Sequence, residues 1–130
     1  MDLQPLPSAD RLLSPLRLRG CTLESRIFQA PLAGYSNPPF RLQCRRLGRP
    51  GMLANEMVSA RSLLQGRGRA AAFLARSPEE GPVQYQLWGT DPRCLAEGAR
   101  ISEDAGADAV DLNCGCPVPK VVASGSGVAL

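Results

Sequence analysis

Residues 83–113 read VQYQLWGTDPRCLAEGARISEDAGADAVDLN, and their reading decides the fold. Val83–Trp88 alternates apolar or aromatic residues with glutamines and stops at Gly89, the pattern of a strand. Asp91-Pro92 then opens a helix: the Asp side chain can cap free backbone N–H groups, and a proline in the first turn forfeits no hydrogen bond. Cys94, Gly98, Ile101 and Ala105 recur at spacings of four, three and four, the stripe of a buried face. Glu97, Arg100, Glu103 and Asp104 face away, and Gly106 closes the helix. Ala109–Asn113 reads as the next strand. Strand, helix and strand over about 30 residues make the repeating unit of a parallel sheet.

The same alternation extends towards the N-terminus. Ile27–Pro31 reads as a strand that stops at Pro31, and Met52–Val58 as another. Four strands are therefore expected near residues 27–30, 52–58, 83–88 and 109–113. Asn37 caps a predicted helix with Pro38 and Pro39 in its first turn, Phe40, Cys44 and Leu47 at helical spacing, and Gly48 as its stop. Leu16–Leu18 and Arg26–Phe28 flank a turn at Gly20 and are expected to pair as a hairpin. Residues 1–15, rich in proline and polar groups, read as a loose lead-in. Residues 61–76 divide between an Arg/Gly loop and a short helix.

Units of about 25–30 residues suit a TIM barrel or a doubly wound sheet. The first strand runs into Ala30-Pro31-Leu32-Ala33-Gly34, without the Gly-x-Gly-x-x-Gly of a dinucleotide-binding sheet. Residues with chemical capacity collect just past the strand ends: Pro31–Gly34, Glu56, Gln86 and Asn113–Cys116. Four such clusters on one rim are what the C-terminal face of a barrel offers. A complete barrel takes roughly 250 residues, so the expected architecture is α/β, the N-terminal half of a (β/α)8 TIM barrel with about four parallel strands. Residues 1–25 would be its lead-in and 26–130 the partial barrel.

Composition narrows the function. Of 130 residues, 44% are apolar and 21% charged, enough for a core. No apolar run approaches the ~20 residues of a membrane span, so no membrane partner is expected. The first 20 residues fit neither a secretory nor a transit signal. Five cysteines, an odd and sparse set, read as reduced thiols in a cytoplasmic protein. The chain has no histidine, which excludes Ser-His-Asp and Cys-His machinery and His-ligated zinc within it. The net charge of +3 is unevenly spread: residues 41–76 carry eight arginines against Glu56 alone. That segment is either a phosphate-binding surface or an ordinary solvated face.

Asn113-Cys114-Gly115-Cys116-Pro117 is the most specific stretch. A cysteine between a buried strand and a proline sits on a rigid turn, where a thiol can act as nucleophile or general acid. A metal at the Cys-x-Cys pair would need further ligands, and Cys21, Cys44 and Cys94 are scattered, so no metal is expected. Small residues at Pro31–Gly34 would let a flat ligand approach the backbone, or simply make a turn. The Gln86 amide can read a ring edge as donor and acceptor, or end a strand in solvent. Glu56 is either an inward polar group or a surface carboxylate. Ser124–Gly127 reads as a flexible loop in preference to a phosphate nest.

Taken together, Ala30–Gly34 with Asn37-Pro38-Pro39-Phe40-Arg41, Asn55–Ala60, Gln86–Gly89 and Asp111–Lys120 resemble the tRNA-dihydrouridine synthase family in order and spacing over residues 26–130. Leu32 stands where the family usually has Met, and Asn37 where it usually has Asp. The resemblance implies an FMN-dependent barrel that reduces a uridine in tRNA with NADPH. It implies that Pro31, Leu32 and Ala33 line the flavin, that Gln86 bonds its ring edge, and that Cys116 is the proton donor. Asn113, Lys120 and Glu56 are then expected on the substrate side. The family's later strands and helical RNA-binding domain have no counterpart here, so the chain reads as a truncated form. A non-catalytic piece with residual RNA binding and no flavin is the alternative, and a small Cys-x-Cys metal or redox module a distant third.

Overall fold

The computed structural model describes residues 8–66 and 70–130. Ser8 caps a single helical turn, α1 (Ala9–Leu12), inside the expected lead-in. Residues 1–7 of that lead-in, and Arg67–Arg69 of the expected Arg/Gly loop, lie outside the described residues. Strands β1 (Leu16–Leu18) and β2 (Cys21–Leu23) form an antiparallel hairpin. This corrects the expected partner of Leu16–Leu18. Gly20, at φ +81°, turns the chain back at once, so the hairpin closes on Cys21–Leu23 and leaves Ile27–Gln29 for the main sheet.

Asn37 caps α2 (Pro38–Leu47) by accepting from the Phe40 N–H at 3.1 Å. There follow β3 (Leu53–Ala54), β4 (Val58–Ser59), α3 (Ala60–Leu64), β5 (Val83–Trp88), α4 (Pro92–Asp104), β6 (Ala109–Leu112) and α5 (Pro119–Val122). Short 3₁₀ turns lie at Ala70–Leu74, Pro78–Glu80 and Gly127–Ala129. β5 pairs in parallel with β3 and β4 on one side and with β6 on the other. A parallel bridge between Phe28 and Met52 adds the first segment beside β3. Four chain segments thus lie side by side in sequence order, all parallel, as in the first half of a (β/α)8 barrel.

Two expected strands come out shorter, for physical reasons. The first shrinks to the bridge at Phe28, since Pro31 has no N–H to continue a ladder and the Gln29 side chain takes over, its Oε1 accepting from the Ala54 N–H at 3.0 Å. The second is broken between Ala54 and Val58. Leu53 pairs with Val83 and Val58 with Leu87, so five steps on one strand face four on the other. The extra residue is a β-bulge spanning Asn55–Met57.

Val83, Tyr85 and Leu87 point into the apolar core, with Leu53, Val58, Leu63 and Leu74. Gln84 and Gln86 point the other way, in register with Ala109 and Asp111, and make a polar inner face. α4 covers the core through Leu95, Gly98, Ala99 and Ser102, whereas Ala105 is exposed, a rotation from the expected stripe. The closest approach sets that rotation: a Cβ at Gly98 would lie 3.3 Å from both Ala60 and Leu87 side chains. Val110 and Leu112 share the core-side face but stay exposed, and the outer edge of β6 is unpaired among the described residues.

Three arginines of the basic segment serve as internal bolts. Arg41 is buried and donates to Glu80 Oε2, the Ser36 carbonyl and the Ala75 carbonyl, each at 2.6 Å. Arg45 donates to the carbonyls of Glu80 and Pro50, and Arg76 to those of Gly81 and Gly106 and to Asp108. An ion pair that is buried and multiply bonded leaves an uncompensated charge when one partner goes. Arg41→Ala is therefore expected to cost about 3–5 kcal/mol by urea unfolding, while Arg46→Ala, from the exposed pair with Glu79, leaves the midpoint in place. Tyr85 is buried and its hydroxyl donates to the Leu74 carbonyl at 2.6 Å; burial pushes its pKa up. The folded chain then keeps a phenol proton that the unfolded chain loses, so stability falls as pH rises above about 10. Thermal melts between about pH 8 and 11 should show this decline in the native chain and a shallower one in Tyr85→Phe.

Candidate active site at the mouth of the half-barrel

The C-terminal ends of the parallel strands are tied together by side chains. In the bulge, Asn55 is fully buried; its Oδ1 accepts from the Gln86 N–H at 2.7 Å and its Nδ2 donates to the Phe73 carbonyl at 3.2 Å. The bulge deprives β5 of a backbone acceptor at that level, and Asn55 supplies one instead. The next two residues then project from the ladder. Glu56 Oε2 accepts from the Gly34 N–H at 2.7 Å and so holds the loop that follows the first segment. The Met57 sulfur lies 3.6 Å from Asn113 Nδ2.

Inside that loop, Ser36 is buried and its hydroxyl accepts from the Leu32 N–H at 2.8 Å and from Gln29 Nε2 at 3.0 Å. Pro31 is half-buried, while Leu32 and Ala33 are exposed. No bond partner takes the Ala33 N–H among the described residues. The loop thus presents a free backbone N–H at Ala33 and the exposed apolar side chain of Leu32.

Across the mouth runs a continuous relay. Gln86 Nε2 donates to Asp111 Oδ2 at 2.6 Å, and Gln86 Oε1 accepts from Asn113 Nδ2 at 2.9 Å. Asn113 Oδ1 accepts from the N–H groups of Cys116 at 2.9 Å and Gly115 at 3.2 Å. This closes the turn that carries Cys116, which is half-buried, whereas Cys114 is exposed. The Cys116 carbonyl accepts from the Val128 N–H at 3.2 Å. Gly127, at φ +64°, permits that approach, since a Cβ there would sit 2.3 Å from the same carbonyl oxygen. Ser124–Gly127, expected as a flexible loop, is a folded clasp: Ser126 is buried and Ser124 Oγ donates to the Val121 carbonyl at 2.6 Å.

The structure therefore brings together Gln86, Asn113 and Cys116, and joins Glu56 to the Pro31–Ala33 loop. Lys120 is exposed on α5, apart from the relay. Sequence reasoning missed Asp111, Met57 and the bracing role of Asn55. The signal for Asp111 was there: it precedes Asn113 by two, so both face the same side of β6. A second cleft of about 230 Å³, lined by Ser59, Arg61, Trp88, Asp91 and Cys94 among others, lies beside the mouth. The Asp91 carboxyl is held low by the N–H groups of Arg93 and Cys94 that it caps. Burial, with Asp91 beside it, pushes the Cys94 thiol up, so it is protonated at neutral pH. No group of metal-ligating side chains gathers among the described residues.

The described residues form a parallel α/β half-barrel with a polar mouth and a braced cysteine turn at its strand-end rim. The dihydrouridine synthase family model matches residues 28–130. The chain is 39% identical over 118 residues to tRNA-dihydrouridine synthase B of Pseudomonas aeruginosa, covering 91% of this chain and 35% of that protein. It is 43% identical over 102 residues to tRNA-dihydrouridine(20/20a) synthase of a Synechocystis strain, covering 78% and 30%. A solved variant of NCR from Zymomonas mobilis shares the fold at a TM-score of 0.51 and 21% identity, covering 85% of this chain and 46% of that one. The chain belongs to the dihydrouridine synthase family. It spans about a third of the length of the curated relatives it matches.

If Asn55 carries the mouth, removing it should be felt at β5. Asn55→Ala leaves the Gln86 N–H and the Phe73 carbonyl unpaired, which is expected to cost about 1–3 kcal/mol. Native-state amide exchange by NMR should show the Gln86 amide accelerated beyond that of Tyr85 on the same strand.

Proposed function

We propose that the chain carries the thiol-bearing half of a tRNA-dihydrouridine synthase, an FMN-dependent enzyme that reduces a uridine in tRNA to 5,6-dihydrouridine with NADPH as reductant. The observation that carries the reading is the Asp111–Gln86–Asn113 relay, which fastens the Cys116 turn at the strand-end rim of a member of this family. Residues 26–130 then form the partial flavin barrel and residues 1–25 its lead-in.

The residues at the rim fit a flat heteroaromatic ring. Pro31, Leu32 and Ala33 offer backbone together with the exposed apolar face of Leu32, and the Ala33 N–H is free to donate. Gln86 retains one amide N–H beyond its bond to Asp111. These are the groups that would hold the flavin. A bound reduced flavin supplies hydride to C6 of the uracil ring.

The chain's own part in the chemistry is the proton. Hydride at C6 leaves negative charge over C5 and O4 of the uracil, and the Cys116 thiol gives its proton to C5; the thiolate regains a proton from solvent. A general acid held on a rigid turn meets that carbon without searching for it. Asn113, Lys120 and Glu56 are the proposed substrate-side contacts. The target base has to leave its stack to reach the mouth. Of the basic segment, Arg49 and Arg61 are exposed and suit tRNA phosphates, since Arg41, Arg45 and Arg76 are engaged internally. No helix among the described residues is long and apolar enough to cross a membrane, and a cytoplasmic location accords with a tRNA substrate.

Stopped-flow of both half-reactions, in an active synthase carrying this segment, tests the reading. Cys116→Ala is expected to leave flavin reduction by NADPH intact and to slow uridine reduction about 10²–10⁴-fold. Cys114→Ala should do far less, because Cys114 is exposed, whereas Cys116 is half-buried with its N–H held by Asn113. Equal losses for both cysteines would replace Cys116 as the acid with a paired-cysteine mechanism.

A further inference from the structure

We propose that Asp111 is a positioning residue that fixes the direction of the whole relay, and with it which hydrogen-bonding group Gln86 offers to a ligand. Each of the two amides in the relay has a donor end and an acceptor end, so either could be turned over. The ends of the relay remove that freedom. At one end the Asp111 carboxylate only accepts, so it takes Gln86 Nε2 at 2.6 Å. At the other, the N–H groups of Gly115 and Cys116 only donate, so they take Asn113 Oδ1. The middle bond, Asn113 Nδ2 to Gln86 Oε1 at 2.9 Å, is the one arrangement that satisfies both ends. The second Asn113 N–H lies against the Met57 sulfur. The spare donor in the relay is therefore the second N–H of Gln86, and the ligand edge that meets it has to be an acceptor, a carbonyl oxygen or an imine-type nitrogen.

Asp111 is placed for this by register alone. It pairs with Gln86 across β5 and β6, on the inner face, where a strand of otherwise small and apolar residues carries one acid. The chemical class of the ligand rests on the proposed function; the direction of the relay does not, and its test needs neither flavin nor tRNA.

The experiment is amide exchange by NMR on the full chain, reading Gly115 and Cys116 as relay reporters and Tyr85 as the reporter of global opening. Gln86→Glu places a carboxylate against Asp111 and should accelerate the Cys116 amide by about tenfold, the equivalent of one hydrogen bond, with Tyr85 unchanged. Adding Asp111→Asn turns that end into a donor facing an acceptor. The double variant should therefore return to within about twofold of the native rate. Both replacements keep the side-chain shape, so folding is retained. A double variant no slower than Gln86→Glu alone would overturn the proposal, as would an unchanged Cys116 amide in Gln86→Glu. Either failure would leave the Cys116 half-reaction test standing, and a failed half-reaction test would leave the relay standing.

Discussion

The mouth of this half-barrel depends on the Asn55 side chain standing in for backbone. Parallel ladders lose their regular partners where strands end or bulge, and each orphaned N–H in a buried setting costs about 1–3 kcal/mol. Here amides fill the gaps in turn. Gln29 accepts from Ala54 where the first segment stops, and Asn55 accepts from Gln86 where the second strand bulges. The bulge has a second consequence: it turns Glu56 towards the first loop and Met57 towards Asn113. One extra residue in one strand thus satisfies the sheet, holds the Pro31–Ala33 loop and backs the cysteine turn.

The outer layer is held on a different principle. Arg41 and Glu80 lie fully buried, and their charges are matched by carbonyls and by the Ser77 N–H as well as by each other. A pair so enclosed adds little net stability over an apolar replacement, but losing either partner strands the other's charge in the core. Through the Ser36 carbonyl it reaches the same loop that Ser36's hydroxyl and Glu56 brace from within. The loop after the first segment is fixed from the core side and from the mouth side at once. That is the condition for presenting backbone groups to a ligand at a constant height.

What was legible in the sequence follows from how local each signal is. Val83–Trp88, α4 and the Asn37 cap were readable because alternation, capping and proline position act within one element. The bulge at Asn55–Met57 was not, since a two-against-one pairing exists only once β5 is alongside. The hairpin partner of Leu16–Leu18 was misread because two later segments were both suitable, and Gly20 chose the nearer. Of the site, the residue types at the strand ends were visible, and so was the special context of Cys116. Their connection through Asp111 was not, because Asp111 and Gln86 meet only through the register of two strands 25 residues apart.

The five cysteines show why composition could not settle the chemistry and geometry narrows it. Among the described residues all are free, so the distinction lies in surroundings. Burial first, and then the Asp91 cap that accepts from it, push the Cys94 thiol up. Cys114 is exposed, with no hydrogen bond of its own thiol to hold it in a fixed place. Cys116 stands on a turn at the strand-end rim, with its N–H tied to the inner relay and its carbonyl to the Gly127–Ala129 turn. A proton donor gains from being held still over one carbon, and a fixed backbone on both sides of the Cα is how a single turn achieves that. The relay and the clasp meet at this one residue, and that bracing supports the proposed role of Cys116 as the acid.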